Sequence, residues 1–340
     1  MQPTGAVTYV RSNGMCERKR TVLDILRASP GYVSGERISA SLGISRNAVH
    51  KHVKSLRARG YTIVGVSRRG YRLEEEPGRL AIPVVTGMTR ESVFGRSFRY
   101  YDEIASTNVE AKSLANDGAP EGTVVIAEAQ TAGRGRLGRR WTSPAGKGLL
   151  FSVIVRPDLP MADAHLMTLV AATATASAIE EQSGQAVAIK WPNDLYVGDR
   201  KVGGILLEVS GEQDEIDWII VGIGINVNTE YNELPVPLRR SAVSLKMAGG
   251  EPVDRSELLA RVLLALEAQY LDVARNGFAG TLAEFRARDY LRAKTVSVQT
   301  RTGAVVGEAT GIDDRGALLV ELPHRHVRRF HAGDVTLHTS

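Results

Sequence analysis

Apolar and polar positions divide the 340-residue chain into stretches of different period. Over residues 18–73 the pattern predicts three helices and two short strands. Val22, Leu23, Ile25 and Leu26 give the first helix an apolar face, and Ser29-Pro30-Gly31 stops it. A second helix is expected after Ser34, ending at Gly43. Ser45 caps a third, with Gly60 placed to end it. In the third helix Val49, Val53 and Leu56 fall at i, i+4 and i+7, one buried stripe. Residues 61–66, the turn Ser67-Arg68-Arg69-Gly70 and residues 71–73 read as a hairpin with a basic tip.

From residue 98 to 226 apolar strands alternate with helical segments. Strands are expected at 98–102, 123–129, 149–155, 185–191, 201–209 and 218–227, with Asp199 and Arg200 turning a hairpin. Thr107 and Glu110 have the spacing of a capping box, which puts Ser106-Thr107-Asn108 at a helix start and Gly118 at its stop. Residues 162–179 are apolar but interrupted by His165, threonines and Ser177, so they predict a buried helix and not a membrane span. Helices over 255–275 and 278–290 come next. Short strands over 295–336, with turns at Thr302-Gly303, Asp313 to Gly316 and Gly333-Asp334, then fit a small barrel. The class is α+β, with a boundary near residue 80 after Glu74-Glu75-Glu76-Pro77-Gly78. Three domains are expected, over 1–78 (with an N-terminal extension and linker), 80–291 and 292–340.

The formal charge of +5 and pI near 9.3 become informative because the cations cluster. Opposite the buried stripe of the third helix lie Arg46, Asn47, His50, Lys51, Lys54 and Arg57. Short helix, tight turn and basic helix make a helix-turn-helix, whose second helix enters the major groove, and the basic hairpin is a wing suited to phosphate or the minor groove. Ser45, Arg46, Asn47, His50, Lys51, Lys54, Arg68 and Arg69 are the candidate DNA contacts. Cys16 is the single cysteine, so intramolecular disulfides are excluded and it reads as an inert thiol in a reduced cytoplasm. The first twenty residues lack the apolar stretch of a signal peptide, and no membrane association is expected.

The most distinctive chemistry is the loop GRGRLGR, residues 133–139. Gly133, Gly135 and Gly138 match a dinucleotide fingerprint, but that motif must open a helix. Here the turn-rich Trp141-Thr142-Ser143-Pro144-Ala145-Gly146 follows. What remains is three arginines, Arg134, Arg136 and Arg139, on a backbone able to fold closely over a ligand. Arginine binds carboxylate and phosphate through paired charged hydrogen bonds, which suits a reaction between two anions. Lys190 ends a buried strand beside Trp191-Pro192, aimed inward. Asn193, Asp194 and Asn226 are oxygen donors for Mg2+ or ribose, or structural turn residues. His324, His326 and His331 read as solvated histidines and not a metal site.

Ser106-Thr107-Asn108, Gln130 with GRGRLGR, residues 190–194 (KWPND), residues 201–206 (KVGGIL) and residues 222–226 (GIGIN) occur in the order seen in biotin protein ligases. With the winged helix in front, residues 18–338 resemble the bifunctional biotin ligase and biotin-operon repressors of the BirA type. The resemblance implies a central domain related to class II aminoacyl-tRNA synthetases and a C-terminal SH3-like barrel. It further implies that Ser106, Thr107, Asn108, Gln130, Gly133, Arg134, Gly135, Arg136, Lys190, Gly203, Gly204, Ile205, Leu206 and Asn226 contact biotin or its adenylate. Lys190, Arg136 and Arg139 would be the catalytic cations meeting the ATP phosphates. The family loop often has another basic residue where this chain has Leu137.

The implied reaction joins biotin to AMP from MgATP, then passes biotin to a lysine of a biotin carboxyl carrier protein, with Mg2+ arriving on ATP. An adenylate-bound homodimer would repress through operator DNA. A regulator that only senses the ligand, and a lipoyl ligase or acyltransferase on the same fold, are the competing readings.

Overall fold

The computed structural model describes residues 6–10, 21–58, 61–75, 78–212, 215–300 and 303–338. Cys16, Gly60, Glu76, Pro77 and Thr302, on which expectations above rest, lie outside them. Two compact units emerge, Asn13–Arg79 and a larger one made of Met1–Ser12 with Leu80–Ser340.

The first residues form β1 (Ala6–Val10) and belong to the larger unit. This corrects the expectation that residues 1–78 are one module. The smaller unit holds α1 (Val22–Arg27), α2 (Gly35–Leu42), α3 (Arg46–Ala58), β2 (Thr62–Val66) and β3 (Gly70–Glu75). Its helix starts follow their caps. Thr21 and Asp24 make a reciprocal capping box, Ser34 Oγ accepts from Arg37 N–H, and Ser45 Oγ accepts from Ala48 N–H at 3.2 Å. Gly43 ends α2 in the left-handed conformation. Val49, Val53 and Leu56 are buried as the spacing requires, around Ile38, Leu26 and Ile63.

The larger unit continues with α4 (Ile82–Met88), β4 (Ser97–Tyr101), α5 (Thr107–Asn116), β5 (Thr123–Ala127), β6 (Gly148–Val155), α6 (Met167–Ser183), β7 (Ala188–Lys190) and β8 (Asp194–Val197). β9 (Arg200–Glu212), β10 (Glu215–Asn226), α7 (Leu245–Gly249), α8 (Arg255–Asn276) and α9 (Ala279–Ala287) complete the central layer. Its eight-stranded sheet has the order β1-β4-β5-β6-β10-β9-β8-β7. β1, β4 and β5 run parallel and the remaining pairs antiparallel, a mixed sheet. Both faces are covered, so β5 and β6 are buried along their whole length. Phe98, Val124, Phe151 and Val153 face the core shared with α6 and α8. Tyr101, Val125, Ile154 and Trp218 pack with Ala111 and Ala115 of α5 on the other side.

β11 (Thr295–Thr300), β12 (Gly303–Ile312), β13 (Leu318–Leu322), β14 (His326–Phe330) and β15 (Asp334–Leu337) form an antiparallel sheet in the order β14-β13-β12-β11-β15. Val296, Val298, Leu318, Val320 and Phe330 join the same core as the central sheet. The change of architecture at residue 292 is therefore not a break in packing.

Two local expectations are corrected. Thr107 and Glu110 make no capping box. The N-cap is Ser106 without a side-chain bond, the Thr107 N–H donates to Gln130 Oε1 at 2.7 Å, and Glu110 accepts from the Tyr101 hydroxyl at 2.6 Å. The strand expected at 185–191 shrinks to Ala188–Lys190, because the N–H groups of Gln185 and Val187 go to the side chains of Ser183 and Glu180.

Candidate active site and nucleic-acid interface

A cavity of about 340 Å³ opens in the larger unit at the ends of β5, β7 and β10. α5 brings Ser106, Thr107 and Asn108, the strand end Gln130, and the loop Arg134, Gly135, Arg136 and Arg139. The β7–β8 turn adds Lys190, Asn193 and Asp194, β9 adds Gly204, Ile205 and Leu206, and β10 adds Asn226. Of the residues expected here, Gly133 and Gly203 do not line it. A side chain at Gly133 would strike the Trp141 carbonyl, and one at Gly203 would press on the Gly224 carbonyl and Leu195, so both are packing positions behind the wall.

The GRGRLGR loop folds as a small hairpin. Gly135 N–H donates to Arg139 O at 2.7 Å and Trp141 N–H to Gly133 O at 3.0 Å. Its tip is a single tight turn over Arg136–Gly138, with Leu137 at φ 56° and 72% exposed. No α-helix opens from it, so the dinucleotide reading lacks its anion-binding terminus.

One end of the cavity is neutral and highly bonded. Ser152 Oγ lies 2.8 Å from Thr107 Oγ1 and 2.7 Å from Asn108 Oδ1, and Asn108 Nδ2 donates to Glu208 at 3.0 Å. With Thr107 donating to Ser152 and Ser152 to Asn108, the buried chain is satisfied in one direction. The other end is cationic. Arg136 donates to Asn193 Oδ1 at 3.1 Å, and burial lowers its pKa against the pull of Asp194 and Asp334. Lys190 is likewise lowered by burial, with Asp194 and Asp334 opposing, and its ammonium lies 5.8 Å from the Tyr196 ring centroid. Arg139 is ion-paired with Asp334, which β15 of the C-terminal sheet supplies. The oxygen candidates are held in place by their neighbours. Asp194 receives Lys201 at 2.6 Å, Asn193 Nδ2 donates to Ile205 O at 2.8 Å, and Asn226 Nδ2 to Val243 O at 3.3 Å.

Trp141, Tyr196, Lys201, Leu234, Leu238 and Asp334 also line the cavity. Of these, sequence reasoning missed all but Lys201 as site residues. The buried indole Nε1 of Trp141 has no hydrogen-bond partner in the structure, and Lys201 Nζ lies 5.6 Å from the ring centroid. A signal for Trp141 existed in GIGIN. Gly222 and Gly224 alternate onto one face of β10, where a side chain at Gly222 would lie 1.9 Å from Asn108 Oδ1 and one at Gly224 2.7 Å from the Trp141 ring.

In the smaller unit Arg46, Asn47, His50, Lys51 and Lys54 of α3 are exposed. Arg46 pairs with Glu36 at 2.7 Å, and His50 Nδ1 lies 3.3 Å from the Tyr71 hydroxyl on the wing. Arg57 donates to Ile63 O at 2.8 Å and so ties helix to wing. At the wing tip Arg68 has φ 65°, and Arg69 lies over Tyr32 at 4.6 Å. Among the described residues no group of three or more His, Cys, Asp or Glu is arranged to hold a metal, and His324, His326 and His331 are exposed.

Comparison with known proteins gives three family matches in chain order. They are an HTH domain over residues 18–72, the biotin/lipoate A/B protein ligase family over 100–226, and the biotin protein ligase C-terminal domain over 294–337. The bifunctional ligase/repressor BirA of Bacillus subtilis is 39% identical over 94% of this chain and 98% of its own length. That of Escherichia coli is 33% identical over 87% and 90%. The solved structure of the Aquifex aeolicus biotin protein ligase in complex with biotin and ATP is 29% identical, with a TM-score of 0.62 over 72% of this chain and 99% of that one.

Proposed function

This chain belongs to the family of bifunctional biotin ligase/repressors, and on that premise we propose how its cavity activates biotin with ATP and transfers it to a protein lysine. The observation that carries the reading is the polarity of the cavity, neutral and bonded around Thr107, Gln130 and Asn108, cationic around Arg136, Lys190 and Arg139. Biotin's uncharged ring suits the first end. Its carboxylate and the ATP phosphates suit the second, where half-buried cations are stronger than in water. The carboxylate attacks the α-phosphorus and pyrophosphate leaves. The acceptor amine then attacks the mixed anhydride and AMP leaves. Lys190 and Arg136 hold charge as it develops on the phosphate oxygens. Mg2+ would be held chiefly by the triphosphate, with Asp194 beside Lys190 and Arg136 as the carboxylate able to approach it.

The acceptor is a biotin carboxyl carrier domain, and the smaller unit reads operator DNA with α3 and the wing. An adenylate-bound homodimer matches a two-fold operator, in a reduced cytoplasm. None of the described helices is long and apolar enough to cross a membrane. Labelled biotin, ATP and a carrier domain test the ligase, with lipoate and octanoate as competitors. Label transfer that lipoate, but not biotin, suppresses would overturn the substrate. Dimerisation equal with and without biotin plus ATP would remove the switch but leave the ligase.

Two expected outcomes probe the two ends separately. Gly222→Ala keeps an allowed backbone but drives Asn108 from Ser152 and Glu208. Losing hydrogen bonds of this kind raises the KM for biotin about tenfold or more, with the KM for ATP moved far less. Arg136 lines both the main cavity and a smaller one, as do Trp191, Pro192 and Ile205, so its side chain is part of the wall they share. Arg136→Gly thins that wall and removes a cation over the adenylate, and free biotinyl-AMP should accumulate in a filtered reaction where the unmodified chain retains it.

A further inference from the structure

The β13–β14 hairpin and the residue after it carry a run of arginines and histidines that neither half-reaction uses. His324, Arg325, His326, Arg328, Arg329 and His331 are all exposed. Among the described residues only Arg329 has a carboxylate in ion-pair range, Asp313 at 3.6 Å, and Arg328 lies over the Phe330 ring at 5.2 Å. The apex is unusual in its backbone. His324 and Arg325 both take positive φ, 67° and 59°, in the three-residue turn Pro323–Arg325, a conformation that glycine adopts most easily. Such conformations cost on the order of 1 kcal/mol each for bulky residues, so this turn keeps a histidine and an arginine where glycine would be easier.

The strip leads to the active site. β14 ends at Phe330, His331 and Ala332 line the smaller cavity, and Gly333, Asp334 and Val335 line the main one. At about 3.3 Å per residue, β14 reaches roughly 15–17 Å from the mouth. A protein that inserts a lysine into this mouth must cover ground of that extent, since a standard interface spans about 800 Å² per partner.

Resting on the ligase reading above, we propose that the β13–β14 hairpin is the docking strip for an acidic face of the acceptor protein. Arg325 at the apex and Arg328 along the strand steer and hold that face while the target lysine enters beside Asp334. Exposed charges of this kind act on encounter and on acceptor KM, not on chemistry inside the cavity.

The test uses the full chain, with a purified biotin carboxyl carrier domain as probe. Biotin-dependent pyrophosphate exchange reads adenylate formation, and transfer to the carrier reads docking. For Arg325→Glu/Arg328→Glu, exchange is expected to stay within about twofold while the KM for the carrier rises about tenfold. Arg325→Lys/Arg328→Lys is expected to restore it. Added salt should raise the carrier KM of the unmodified chain and flatten in the charge-reversed one. Intact exchange with an unchanged carrier KM overturns the strip alone, as does a raised KM with unaltered salt dependence, which marks a distorted C-terminal sheet. Loss of binding to a random-sequence duplex with carrier KM unchanged also overturns it, in favour of a nucleic-acid surface. No exchange by the unmodified chain overturns the ligase reading and the strip with it.

Discussion

Replacing Lys190 with alanine is expected to lower biotin-dependent pyrophosphate exchange by about 10²–10³-fold, or about 3–4 kcal/mol of transition-state stabilisation. The ammonium sits at the end of β7, 5.8 Å from the Tyr196 ring centroid, and the next residue, Trp191, is anchored by its indole donating to Gly316 O at 2.9 Å. Because its place is set before the nucleotide arrives, little reorganisation accompanies the growth of charge on the α-phosphate. Lys190→Met keeps most of the volume and loses the charge. Equal losses in the two variants assign the effect to charge, and near-normal exchange in either would refute it. Burial holds the Lys190 pKa below the ordinary lysine value. Since the charged form is the active one, rate should fall as pH rises through that lowered pKa, earlier than for an exposed lysine. Bound phosphate favours the ammonium, so the alkaline limb should move upward from kcat/KM to kcat.

How much of this was legible depended on how local each cause is. Ser34, Gly43, Ser45 and the Val49-Val53-Leu56 stripe act within one or two turns, and the structure places them as the pattern implies. GRGRLGR, KWPND and GIGIN likewise come together at one cavity, GRGRLGR after β5, KWPND from the end of β7, and GIGIN as the last residues of β10. Non-local partners were not legible. Thr107 and Glu110 had the right spacing for a capping box, yet Gln130 and Tyr101 compete for the same groups and win. Trp141 read as part of a turn until Gly224 on β10 proved to make room for its ring. β1 has five residues and no periodicity strong enough to announce it, and its place comes from parallel pairing with β4 across the whole smaller unit. Asp334 reaches the cavity from the far end of the chain, and nothing near it in sequence signals that role.

Arg255 is the clearest case of a residue whose role only the fold reveals, and its replacement by methionine is expected to cost the largest share of stability. In sequence it is the first residue of a helix, an ordinary exposed position. In the structure it is buried at 5%, Asp254 supplies the cap, and its Nη2 meets Glu128 Oε2 at 2.7 Å while Nη1 donates to Gly148 O at 2.7 Å. Glu128 follows β5 and Gly148 begins β6, so one guanidinium grips both ends of the segment that carries GRGRLGR. Glu128 also accepts from Leu80 N–H at 2.8 Å and from the Tyr100 hydroxyl. Arg255→Met strands that carboxylate in the core, and breaking a buried pair from one side costs about 3–5 kcal/mol. Urea unfolding should show the free energy of unfolding fall by that amount, with the midpoint lowered in proportion at unchanged m. Adding Glu128→Met removes the stranded charge and should recover much of the loss, because apolar replacement of a buried pair is often neutral. Recovery of stability without recovery of the KM for ATP would show that the pair also sets the loop over the phosphates. If both return together, the pair serves the fold alone, and a single variant as stable as the unmodified chain would contradict the burial of the pair itself.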